Sequence, residues 1–116
     1  MVFCNTIIAH RFYIQKHTMT YILKPSTRKD KKWMIITPEN KKIHFGQEGY
    51  SDYTIHKNDI RKKSYIARHQ KRENWTKSGI NTPGFFARWI LWNLPSLMNS
   101  ISDTERRFGI NIVRRS

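Results

Sequence analysis

The stretch HFGQEGYSDYTIHKNDIRKKSYIARH, His44 to His69, gathers the residue types from which active sites are built: imidazoles, carboxylates, tyrosines and glycines. Histidines and acids can hold zinc or iron without cysteine, but such a centre needs three or four ligands at a spacing that one element can present. None of the five histidines stands in an H-x-x-x-H or H-x-H pattern. His69 and Glu73 are one helical turn apart, and that spacing is explained by an i,i+4 surface pair. Asp52 with Asp59, or Glu48 with Asp52, would be the carboxylate pair for acid–base work. The surrounding cations lower carboxyl pKa values, however, instead of raising one towards neutrality. Asp52 therefore reads as a cap for loop N–H groups and Asp59 as a first-turn acid of a helix. No nucleophile elbow, P-loop or G-x-G-x-x-G is present. The expectation is a non-enzyme with no catalytic, metal or cofactor-binding residue.

The elements around these residues are legible from periodicity. TYILK, KWMIIT and KKIHFG alternate as strands do, with Trp33, Ile35 and Thr37 on one side and Met34 and Ile36 on the other. PSTRKDK and PENK supply the turns between them. Gly46 and Gly49 bracket a loop, after which Asn58 caps a helix expected over DIRKKSYIARHQKRENW. Thr82 and Pro83 signal a second helix, GFFARWILWN. Along it Phe85, Trp89 and Trp92 form one stripe and Phe86, Ile90 and Leu94 the next. Pro95 breaks that helix, Ser96 caps another, and Gly109 stops it. The predicted fold class is α+β, a short antiparallel β-meander followed by about three helices, in one domain over residues 19–110. Residues 1–18 read either as an N-terminal extension or as carrying a first strand from Ile7 to Ile14. INIVRRS reads as a last strand or a basic tail, and 111–116 is assigned as tail.

Lys and Arg number 22 against 8 Asp and Glu, a net charge of +14. So strong an imbalance attracts polyanions. Cys4 is the lone cysteine, which excludes an internal disulfide and fits a reducing compartment. The longest late apolar run, FFARWILWNL, falls far short of the ~20 residues that span a bilayer. The apolar share is 38% but the aromatic share is 13%, so a few large side chains must build the core.

Taken together, GYSDYTIHKN, RKKSYIARHQKRENW, SGINTPGFFARWILWNLPSL and ISDTERRF resemble a small family of uncharacterised basic proteins of nucleocytoplasmic large DNA viruses, the phycodnavirus and mimivirus-like giant viruses. The likeness runs from about Lys24 to Phe108. It implies a compact β-then-α fold and a place in the virion or the host cytoplasm, at the viral factory, and it carries over no catalytic residue. Thr82-Pro83-Gly84 departs from the Thr-Ala-Gly expected there and keeps the helix start.

Two functions fit. One is a virion-associated structural protein of minor-capsid or scaffold type, whose partners are capsid or other virion proteins. Phe85, Phe86, Trp89 and Trp92 would then serve as core or partner anchor. The alternative is a nucleic-acid-binding protein for genome packaging or regulation, with Lys62, Lys63, Arg68, Lys71 and Arg72 contacting phosphates of DNA or RNA, or the acidic surface of a partner.

Overall fold

A computed structural model describes residues 19–116, so the expectations for residues 1–18 lie outside the described residues. Strands β1 (Thr20–Pro25), β2 (Lys31–Ile36) and β3 (Lys42–Gln47) make the expected antiparallel meander. Their register sets Leu23 against Ile35, Ile35 against Ile43, and Trp33 against Phe45. Because side chains alternate between faces, this pairing collects Leu23, Ile35, Ile43 and Phe45 into one buried layer. The β2–β3 turn passes through Asn40 at φ 69, a left-handed position that asparagine tolerates.

The meander is completed by a strand that the sequence reading assigned to a basic tail. Asn111–Arg114 form β4, parallel to β1, which gives a mixed four-stranded sheet of order β3-β2-β1-β4. The physical reason is the open edge of β1: Asn111 N–H donates to Met19 O at 2.8 Å and Arg115 N–H to Leu23 O at 2.9 Å. Ile110 and Ile112 enter the core with this strand. Burying such side chains contributes roughly 1.5–3 kcal/mol each.

Four α-helices are present among the described residues. Helix α1 (Tyr53–His56) is a single turn that follows the loop and precedes the expected helix start, and the Asp52 carboxylate caps it by accepting from Thr54 N–H at 2.9 Å. Helix α2 (Asp59–His69) begins where expected, with Asn58 Oδ1 accepting from Ile60 and Arg61 N–H groups. It stops at His69, short of the Trp75 the sequence suggested. Apolar residues are too sparse beyond Ile66 to give another turn a packing face. Asn74 instead folds back, accepting from Thr76 N–H at 3.0 Å in a local turn.

The tryptophan segment also departs from a regular helix. Helix α3 (Pro83–Phe86) is capped by Thr82, and the chain then widens into a π-helical turn over Ala87–Leu91, where Trp92 N–H donates to Ala87 O at 3.1 Å. The extra residue per turn shifts the buried stripe to Phe85, Phe86, Ile90 and Leu91. Trp89 and Trp92 are left half-buried with different neighbours. Helix α4 (Leu97–Phe108) runs from the Ser96 cap to Gly109 and packs Ile101, Thr104 and Phe108 inward. These two helical pieces cover one face of the sheet, with Phe86 lying against Tyr21 and Phe45 at ring distances of 5.8 and 6.0 Å. Gly46, at φ 77, lets the π turn approach closely: a Cβ there would stand 2.7 Å from Leu91 Cδ1.

Candidate nucleic-acid interface

The carboxylates determine which cations are free. Asp30 pairs with Arg28 at 3.1 Å, Asp52 with Lys32 at 2.8 Å, and Asp103 with Arg106 at 2.9 Å and Arg107 at 3.3 Å. Asp59 accepts from the Tyr53 hydroxyl at 2.5 Å, Glu73 lies 3.9 Å from His69, and Glu105 accepts from Ile112 N–H at 2.8 Å. Most of the acids are thus committed to internal contacts. Among the described residues, Arg61, Lys63, Arg68, Lys71 and Arg72 take part in no ion pair. All of them are exposed.

Lys62 does not belong with them. It lies on the packed flank of α2 and donates to Asn93 O at 2.6 Å, with its ammonium 4.9 Å from the centre of the Tyr53 ring. Burial, together with the nearby Arg88 guanidinium, lowers its pKa. This sets it apart from the exposed cations expected to contact phosphate: the group is engaged in holding α2 against the end of the π turn.

The helical period then sorts the rest. Arg61 and Arg68 are seven residues apart and share one stripe of α2, whereas Lys63 falls on the other flank. That stripe borders a trough. One hollow, about 370 Å³, is lined by Tyr50, Ile60, Arg61, Ser64, Arg68 and Trp92. A second, about 460 Å³, lies between the β3 end, α2 and α3, and includes Lys31, Phe45, Arg68, Ala87 and Leu91. The two share Tyr50, Ser51, Arg68 and Trp92 and so adjoin. Of the phosphate contacts expected from sequence, Arg68 alone lines the trough; Lys71 and Arg72 follow the end of α2 and stay in solvent.

The trough also contains Tyr50, which the sequence reading did not single out, and Trp92, which it placed as a core or partner anchor. Tyr50 is 68% exposed although aromatic. Its signal was available, since a tyrosine between Gly49 and Ser51 lies in a loop with no strand to bury it. Trp92 forms part of the wall because its indole stacks on Tyr65 at 4.4 Å, and Tyr65 stacks in turn on His69 at 4.4 Å. His56 supports the Trp92 ring from 5.3 Å. Its Nδ1 accepts from Asn58 N–H at 2.9 Å, and burial and the Arg61 charge lower its pKa, so the imidazole is a neutral prop.

The remaining aromatic candidates are occupied inside the protein. Phe85 and Phe86 are fully buried. Trp89 donates from Nε1 to Trp75 O at 2.9 Å and carries the Arg88 and Arg107 guanidinium groups 4.3 and 4.5 Å from its ring. The histidines do not converge either: His44 shares a 2.7 Å hydrogen bond with Ser26 Oγ on the opposite face of the sheet from Phe45. Among the described residues no group of three His, Cys, Asp or Glu is placed to hold a metal ion. No helix there is long and apolar enough to cross a membrane.

Comparison with known proteins adds one likeness. Residues 21–69, less than half of the chain, match the model of a family of unknown function, DUF5754, over the segment from β1 to the end of α2. No curated protein and no solved structure matches.

Proposed function

We propose that the protein binds nucleic acid, with phosphates held by Arg61, Arg68 and Lys31 along the trough and by the neighbouring Lys63, Lys71 and Arg72. The observation that carries this reading is the uncompensated stripe of Arg61 and Arg68 beside an exposed tyrosine, in a chain whose acids are mostly engaged internally. Unpaired surface cations release the counterions of a phosphate chain on binding, which is the main source of sequence-independent affinity. An exposed ring among them adds stacking. The resemblance to basic giant-virus proteins fits a role in genome packaging or regulation. A role as virion cement would have to rely on the same cations, since Phe85 and Phe86 are enclosed and Trp89 is covered by arginines.

A salt titration by fluorescence anisotropy, using oligonucleotides of unrelated sequence, tests this. Affinity should fall with a log–log slope of roughly −4 to −5, as expected if all six cations contact phosphates, and should be similar for every sequence. Absence of binding at ~50 mM salt, where such contacts are strong, would remove the reading.

A further inference from the structure

The larger hollow of the trough has the form of a ligand site as well as a charged surface. At about 460 Å³ it falls within the ~300–1,000 Å³ range of small-molecule sites. Its inner wall is apolar and almost wholly buried: Phe45 is 1% exposed and Leu91 2%. Ala87 and the Trp92 ring extend that wall. The charged groups that face the cleft are Lys31, Lys32, Asp52, Arg68, His69 and Glu73. Lys32 and Asp52 neutralise each other at 2.8 Å, and Glu73 stands beside His69 at 3.9 Å. Lys31 and Arg68 are left as the cations of the cleft with no ion pair among the described residues. Tyr50, which lines both hollows, offers an exposed ring.

A hollow with an apolar inner wall, bordered by two unpaired cations, matches a ligand with an apolar ring and flanking negative charge. Resting on the nucleic-acid reading above, we propose that the cleft receives one unpaired base, with Tyr50 stacking on the neighbouring base and Arg68 and Lys31 holding the phosphates between them. The preferred ligand is then single-stranded. A paired base keeps its faces inside the duplex stack and cannot enter, whereas the bases of a single strand are free to splay onto aromatic rings.

The experiment compares, at one low salt concentration, a short oligothymidylate, a chain of equal length made of abasic phosphodiester units, and a duplex of equal charge. Because stacking contributes about 1–3 kcal/mol per base, the oligothymidylate should bind at least about fivefold more tightly than the abasic chain. Tyr50→Ala should lower that ratio by the share of the stack on the neighbouring base, leaving the share of the base in the cleft, and Tyr50→Phe should keep it whole. Tyr50 is so exposed that neither change threatens folding. Equal affinity for base-bearing and abasic chains overturns the base site while leaving phosphate binding intact. A ratio unaffected by Tyr50→Ala places the base elsewhere and overturns it too. Failure of all three ligands to bind removes the parent reading, and the base site with it.

Discussion

Tyr65 and Trp92 stand with their rings 4.4 Å apart and within 2° of parallel, and this contact joins α2 to the turn that closes the core. Tyr65 is 7% exposed and burial raises its phenol pKa, so the hydroxyl stays protonated throughout the physiological range. Tyr65→Ala should cost about 3–5 kcal/mol, the range for truncating a buried aromatic. Tyr65→Phe, which keeps the stack, should cost under about 1.5 kcal/mol. Urea unfolding followed by tryptophan fluorescence measures both. Equal losses would mean that the hydroxyl, not the ring contact, holds the helix.

Lys62 and Arg68 lie six residues apart on one helix and are predicted to behave oppositely. Lys62→Ala removes the donor to Asn93 O, and unfolding free energy should fall by about 1–3 kcal/mol, as when a charged hydrogen bond at a partly buried carbonyl is lost. The salt slope of nucleic-acid binding should stay unchanged. Arg68→Ala should leave the urea midpoint in place and make that slope shallower by roughly 0.7, the loss of one single-strand phosphate contact. Measuring midpoint and slope on both variants checks the assignment.

Asp103 gives the stability a defined acid limit. The Asn93 side chain donates to its carboxylate at 2.8 Å, and this bond lowers the pKa most; burial opposes it, and Arg107 and Arg106 add to the lowering. A folded pKa below the unfolded value of 3.8 means the contribution is present in full above that value. It is lost as pH falls from there through the lower folded pKa. Asp103→Asn should therefore flatten the decline of stability below about pH 4, with a smaller penalty in acid than at neutral pH. Thermal melts from neutral pH into acid read this directly, and a parallel decline in variant and wild type would refute it.

The local signals were strong. Alternation in KWMIIT and KKIHFG placed β2 and β3, and the caps Asn58, Thr82 and Ser96 each accept the N–H bonds their side chains suit. Gly109 ends α4 at φ 66. Other features had no local mark. The π turn depends on Phe85, Phe86, Ile90 and Leu91 all reaching one sheet face, which a regular stripe would not allow. The destination of Lys62 depends on a carbonyl 31 residues away.

What the sequence determined by itself was the alternation of strands and turns, the starts of the longer helices, and an excess of positive charge, because each is encoded by neighbouring residues. Tertiary structure decided that the last residues pair with β1, that Lys62 turns inward, and that Tyr50, Arg61, Arg68 and Trp92 face one trough. A free strand edge and a partnerless carbonyl exist only once distant segments have packed, and these decide which charges are bound internally and which remain for a ligand.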